Sequence, residues 1–130
     1  MSLRILAVDD SRTIRDMLKL ALGQAGFTPQ VAEDGLHGLE VLEDMVDEGA
    51  PPDAIITDIN MPRMDGFGFI DAVRAKDEHR AVPILVLSTE SAAELKARAR
   101  TSGATGWIVK PFDPVKLVKA INMVAGKGAA

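Results

Sequence analysis

Four short apolar runs each end on a polar group of a different kind, and this pattern narrows the possible folds more than any other feature of the chain. Ile5-Leu6-Ala7-Val8 runs into Asp9 and Asp10, and Ala54-Ile55-Ile56-Thr57 into Asp58. Ile84-Leu85-Val86-Leu87 runs into Ser88, and Trp107-Ile108-Val109 into Lys110. Runs this dense in Ile, Leu and Val suit strands buried on both faces, as in a parallel sheet. Such a sheet gathers its strand ends along one edge, so groups about 50 positions apart in sequence become neighbours there.

Amphipathic stretches separate the apolar runs, which predicts an α/β fold with helices on both faces of the sheet. Strands are expected over about 3–8, 28–32, 54–57, 83–87 and 105–109. The second, Thr28-Pro29-Gln30-Val31-Ala32, is polar and contains proline, so it reads as an edge strand. Ser11 caps a first helix with the stripe Ile14, Met17, Leu18, Ala21, Leu22 and Ala25, ending at Gly26. A second helix over about 35–47 turns Leu39, Leu42 and Val46 inward, before Gly49-Ala50-Pro51-Pro52 breaks the chain. A third, about 66–75, buries Phe69, Ile70 and Val73. The fourth, about 91–102, has Leu95 as its main anchor. The fifth starts with Asp113 as cap and Pro114 at its first position, and carries Leu117, Val118, Ile121, Val124 and Ala125. The tail Gly126-Lys127-Gly128-Ala129-Ala130 is expected to fray. Right-handed crossovers and an edge position for the second strand give the flavodoxin-like order 2-1-3-4-5, a doubly wound five-stranded parallel sheet with five helices. Strands 1 and 3 are then adjacent at the switch point, where Asp9, Asp10 and Asp58 would meet.

The chain has 130 residues, a length that suits one domain over 1–130. Cysteine is absent, which excludes disulfides and thiolate metal sites. No apolar run approaches the ~20 residues a spanning helix requires. Asp9 and Asp10 interrupt the N-terminal apolar stretch too early for a signal peptide. A cytoplasmic monomer without membrane insertion is the expectation. The formal charge of −4 gives no support to nucleic-acid binding.

Three clustered carboxylates are costly to keep ionised without a cation. All-oxygen ligands favour Mg²⁺ or Mn²⁺ over zinc. A carboxylate can also attack phosphorus to form an acyl phosphate. The Lys110 ammonium and the Ser88 hydroxyl can then each hold a phosphoryl oxygen. His37 and His79 read as exposed helix or loop residues, and Met61 and Met64 as loop packing.

The ordered set Asp9-Asp10, Asp58-Ile59-Asn60-Met61-Pro62-Arg63-Met64-Asp65-Gly66, Ser88 and Lys110-Pro111-Phe112 resembles the receiver domain of two-component response regulators. The resemblance covers essentially the whole chain. With nothing following the receiver, the chain looks like a stand-alone regulator of the CheY chemotaxis type. The resemblance implies that Asp58 accepts the phosphoryl group from a CheA-like histidine kinase. Asp10, Asp58 and the Asn60 backbone carbonyl would bind Mg²⁺, with Asp9 acting through a metal-bound water. Lys110 would pair with the acceptor carboxylate and follow a cis peptide bond to Pro111. Ser88 and Thr89 both stand where the switch hydroxyl belongs, and the family's spacing back from Lys110 favours Ser88. Asn60, Thr89 and Glu90 would set the lifetime of the phosphoryl group, Thr89 by crowding the attacking water. Trp107 occupies a switch position where tyrosine or phenylalanine is usual, and its indole offers only an N–H donor.

Lys96, Arg100, Trp107, Lys116 and Lys119 would form a partner face for an acidic peptide, such as a segment of a flagellar motor switch protein. A solvated charged face is the plain alternative for the lysines and arginines. The chain would catalyse only its own phosphorylation and dephosphorylation. A phosphate sink or a developmental or cell-cycle regulator would share this pocket. A haloacid-dehalogenase-type phosphatase needs a second aspartate two residues after the nucleophile, where this chain has Asn60.

Overall fold

A computed structural model describes residues 2–126 of the chain. The strands are β1 (Arg4–Val8), β2 (Thr28–Ala32), β3 (Ala54–Thr57), β4 (Ile84–Ser88) and β5 (Gly106–Val109). The α-helices are α1 (Arg12–Gln24), α2 (Gly35–Asp47), α3 (Gly66–Arg74), α4 (Ala93–Ser102) and α5 (Pro114–Ile121). The sheet is parallel throughout, in the order β2-β1-β3-β4-β5. The expected topology and the edge position of the proline-bearing strand are both present.

Alternation along the strands builds two cores. Leu6, Val8, Ile55, Ile84 and Val86 face α2, α3 and α4, where they meet Leu42, Phe69, Ile70, Val73 and Ala99. Ile5, Ala7, Ala54, Ile56, Leu85 and Leu87 face the other way, onto Leu18 and Leu22 of α1 and Leu117 and Ile121 of α5. Each fully buried side chain of this size contributes about 1.5–3 kcal/mol relative to exposure. The three central strands are therefore hydrophobic without a break, whereas a one-sided sheet would alternate with polar residues.

Helix ends follow their capping chemistry. The side chains of Ser11, Asp34, Asp65 and Asp113 accept hydrogen bonds from backbone N–H groups in the first turns of α1, α2, α3 and α5. Ala92 precedes α4 without a side-chain cap, and that helix begins at Ala93, two residues later than expected. Ala99 is its buried residue, while Leu95 is half-buried. Polar links supplement this thin apolar contact. The Arg98 guanidinium lies 4.0 Å from the Phe67 ring centroid, a cation–π contact. Arg74 donates through Nε and Nη2 to the Gly103 carbonyl just past the helix, at 3.0 and 2.8 Å.

Four further expectations need correction. β5 is as apolar as its neighbours but only half-buried, with Val109 42% exposed, because it ends the sheet. Met17 in α1 is 45% exposed, so the buried stripe of that helix narrows to Leu18 and Leu22. His79 is buried, held in a 3-10 turn (Asp77–His79) that follows α3, and this burial pushes its pKa below the usual imidazole value. The regular helix of α5 stops at Ile121 and continues as a π turn (Asn122–Gly126), where Val124 and Ala125 still pack on the α1–α5 core. The rest of the expected frayed tail, 127–130, lies outside the described residues.

Gly66 lets α3 start directly beneath the end of β3. Its N–H donates to the Ile59 carbonyl at 2.8 Å. A Cβ there would sit 2.2 Å from the Asp58 carbonyl oxygen and 2.8 Å from the Ile59 Cα. Backbone cannot yield as a flexible side chain does, so Gly66→Ala should destabilise the fold by about 1–3 kcal/mol. Gly23, with nothing within 4 Å of its added Cβ, supplies the contrast. Gly23→Ala should stabilise by about 0.4–1 kcal/mol through the unfolded chain. Urea midpoints of the two variants should therefore move in opposite directions.

Candidate functional site

Backbone pairing continues one residue past the strands and sets the site. Val8 is in register with both Ala32 and Thr57. Beyond that row, the Asp9 N–H donates to the Ala32 carbonyl at 3.0 Å and the Asp58 N–H to the Val8 carbonyl at 2.9 Å. The Lys110 N–H donates to the Ser88 carbonyl at 2.8 Å. Asp9, Asp58 and Lys110 are thus fixed by the sheet although they belong to its loops.

The Lys110 ammonium lies 2.7 Å from Asp9 Oδ2 and 3.1 Å from Asp58 Oδ2. Asp9 is 1% exposed, Asp58 7%, and the Lys110 side chain 11%. Lys110 therefore bridges two carboxylates, the shorter contact being to Asp9. Asp58 Oδ1 accepts from the Ile59 N–H at 2.7 Å. Asp9 Oδ1 accepts from the Ser11 N–H at 2.9 Å, and Arg15 donates to the Asp9 carbonyl at 2.8 Å. Burial pushes the Asp9 carboxyl above its ordinary pKa, and the bonds from Lys110 and Ser11 only partly offset it. Burial works to lower the Lys110 pKa, but its bonds to Asp9 and Asp58 prevail and hold it above the usual lysine value. The Lys110–Pro111 peptide bond is cis, as expected.

Asp10 is exposed and completes the acidic group. One carboxylate oxygen from each of Asp9, Asp10 and Asp58 can be chosen so that all three lie within 4.8 Å of one another. With all three ionised, Lys110 leaves the four side chains at a net charge of −2 (three negative, one positive). An all-oxygen donor set with surplus negative charge fits a hard divalent cation. Asn60 follows in the exposed β3–α3 loop.

Ser88, the last residue of β4, is completely buried, whereas Thr89 and Glu90 are exposed in the turn that follows. The Ser88 Oγ accepts from the Glu90 N–H at 3.2 Å, and the Glu90 carbonyl accepts from the Trp107 indole N–H at 2.9 Å. This route from the pocket to Trp107 had no sequence signal beyond the indole's single donor.

The partner-face residues divide between two places. Lys96 and Arg100 join half-buried Trp107 in lining a cleft of about 70 Å³ between α4 and β5. Lys119 instead lines an apolar groove between α1 and α5, and Lys116 is an exposed residue of α5. The Asp34–Arg63 ion pair was not anticipated at all; its partners stand 29 residues apart and share no periodic pattern.

An acidic cluster bridged by a lysine at the β1–β3 switch point of a 2-1-3-4-5 sheet, with a buried hydroxyl at the end of the neighbouring β4, defines a receiver-type phosphorylation module. The response regulator receiver domain family model matches residues 5–122, and the chain belongs to that family. Membership implies signalling with a histidine kinase and divalent-metal binding at the acidic pocket. The chain is 34% identical over 124 residues to the chemotaxis protein CheY1 of Helicobacter pylori, covering 95% of this chain and 98% of that one. It is 32% identical over 127 residues to the CheY homolog of Campylobacter jejuni, covering 98% and 95% respectively. The structure of CheY4 from Vibrio cholerae superposes with a TM-score of 0.88 at 42% identity, covering 95% of this chain and 99% of that one. No helix among the described residues is long and apolar enough to cross a membrane.

The raised pKa of Asp9 carries a sign. Below its ordinary value of 3.8 the group is protonated in both states and contributes nothing. As pH rises through the window up to its raised folded pKa, the folded form releases its proton late and stability falls. Asp9→Asn should therefore be more stable than wild type in metal-free buffer. Its advantage should be absent at strongly acid pH, grow through the acid range and level off towards neutrality. Thermal unfolding in a chelator, followed across pH, would show this; an Asp9→Asn protein less stable at pH 7 would contradict it.

Proposed function

We propose that this chain is a chemotaxis-type response regulator, a single receiver unit over 1–130, that carries a phosphoryl group on Asp58. The donor is the phosphohistidine of a CheA-like histidine kinase. The Lys110 ammonium shared by Asp9 and Asp58 is the observation that carries this reading. It keeps a buried acceptor carboxylate paired while leaving one of the three acids, Asp10, open to solvent.

Asp10, Asp58 and the Asn60 carbonyl are the proposed ligands of Mg²⁺, or of Mn²⁺, with Asp9 acting through a bound water. A cation held by these residues would neutralise charge on the phosphoryl oxygens. An Asp58 oxygen attacks phosphorus, the phosphorus–nitrogen bond to the donor imidazole breaks, and the electron pair stays on that nitrogen. Lys110 pairs with one phosphoryl oxygen and Ser88 donates to another. Hydrolysis of the acyl phosphate restores the carboxylate. Exposed Thr89, with Asn60 and Glu90 at the same rim, restricts the approach of water and sets the signal's duration. The chain's own chemistry is limited to gaining and losing this group.

Ser88 couples chemistry to recognition. Drawn towards the phosphoryl group, its Oγ leaves the Glu90 N–H, and the turn that holds the Trp107 indole is freed to rearrange. The cleft of Lys96, Arg100 and Trp107 then binds an acidic segment of a flagellar motor switch protein, and Lys116 and Lys119 on α5 offer it a second, separate contact. A soluble monomer in the cytoplasm suits this role.

Trp107 is the sole tryptophan, so its fluorescence reports on one place. A small acyl-phosphate donor added with Mg²⁺ should change the wild-type emission and leave Asp58→Asn unchanged. The same addition should tighten binding of an acidic motor-switch peptide in wild type alone. An equal response in Asp58→Asn would contradict the assignment of the acceptor.

A further inference from the structure

Arg63 is the one non-glycine residue among those described with a positive φ, at 65°. L-residues adopt this left-handed backbone at a cost. Its guanidinium meets Asp34 as a fork, Nε to Oδ2 at 2.8 Å and Nη2 to Oδ1 at 3.0 Å. The Asp34 side chain is 4% exposed and that of Arg63 52%. Asp34 Oδ1 also accepts from the His37 N–H at 2.8 Å, capping α2. Bonds from Arg63, first among several influences, hold the Asp34 carboxyl below its usual pKa. Among the described residues it is the one buried carboxylate outside the acidic pocket.

A second link lies beside the pair. The Gly35 N–H donates to the Met64 carbonyl at 3.1 Å, and a Cβ on Gly35 would fall 2.6 Å from that oxygen. The β2–α2 turn and the tip of the β3–α3 loop are therefore stitched together by a side-chain fork and a backbone bond. The base of the same loop is fixed by Gly66 to Ile59 and by Ile59 to Asp58. Asn60 lies between these two anchors. The pair is a two-point fork on a buried carboxylate, which fixes the direction of the loop as well as neutralising charge. Backbone strain of the kind seen at Arg63 clusters at functional sites.

We propose that Asp34 and Arg63 are positioning residues for the phosphorylation site: they fix the β3–α3 loop so that the Asn60 carbonyl is held ready for the divalent cation. This rests on the metal ligands proposed above. The pair touches neither cation nor phosphoryl group and acts through the loop, as outer-shell partners orient metal ligands elsewhere.

Mg²⁺ binding to the full-length chain, measured by calorimetry, tests this without reference to activity. Asp34→Asn removes the charge but keeps a good helix cap, since asparagine caps as well as aspartate. Arg63→Gly removes the fork while relieving the left-handed strain, and Arg63→Gln removes the fork alone. Each should weaken Mg²⁺ binding about tenfold, the low end for outer-shell partners. The Asp34→Asn, Arg63→Gly double variant should be no weaker than the worse single one, because both changes break one link. The rate of phosphorylation by a small acyl phosphate at saturating Mg²⁺ should stay within about twofold of wild type.

Unchanged Mg²⁺ affinity in Asp34→Asn and Arg63→Gly, or additive losses in the double variant, would overturn the positioning role. So would a normal Arg63→Gly beside an impaired Arg63→Gln, which would point to backbone conformation instead of the pair. Wild type that binds no Mg²⁺, or Asp58→Asn that binds it as well as wild type, would overturn the metal reading itself and this role with it.

Discussion

The Lys110 ammonium joins the carboxylates of Asp9 and Asp58 across three strand ends, and the site depends on that bridge. Asp9 follows β1, Asp58 follows the adjacent β3, and Lys110 follows β5 at the far edge. A long, flexible side chain spans from that edge back to the switch point, and its positive charge offsets part of the cost of burying two acids there. The backbone makes the bridge possible by extending its parallel pairing one residue past the regular strands on each side. A shift of one residue in any of these strands would exchange its two faces and lose both the core and the site.

Stability and function divide along the strand axis. The two apolar layers beneath the rim supply the favourable burial. The rim works against folding, since burial leaves Asp9 reluctant to ionise and the pocket has more negative than positive charge. A receptive site of this kind is held in place by the scaffold and satisfied by its ligand. The α4 side of the molecule is built differently from the rest. The helix itself has one buried residue, a cation–π contact to Phe67 and an arginine on the carbonyl beyond its last turn. An element anchored so lightly by apolar contact suits a surface that changes, and Trp107 stands beside it with its indole tied to the turn after Ser88.

The sheet was legible because both of its faces are buried, which leaves runs of Ile, Leu and Val that polar-faced strands lack. The acidic cluster was legible because each acid marks the end of such a run. Legibility failed where burial depends on position in three dimensions. β5 has the composition of a central strand, yet its place at the edge leaves it half-exposed. His79 lies in the charged run Lys76-Asp77-Glu78-His79-Arg80, which gives no hint that its imidazole is buried. Ala99 is too small to stand out as the anchor of α4. The Asp34–Arg63 fork joins the loops that lead into α2 and α3, two helices that pack against each other, so neither residue alone announced it. Ser88 and Thr89 were adjacent candidates in sequence, and the structure separates them by burying the first and exposing the second.

Locating the phosphoryl group by mass is the most direct test of the central claim that Asp58 is the acceptor. Wild type, Asp58→Asn and Lys110→Ala would be incubated with Mg²⁺ and a small acyl phosphate, and the intact and digested chains weighed. A single phosphoryl group on the peptide bearing Asp58 is the predicted result for wild type, with none on Asp58→Asn and a lower yield on Lys110→Ala. Phosphorylation at another residue of the wild-type chain, or an unmodified wild type that nonetheless binds Mg²⁺, would contradict it.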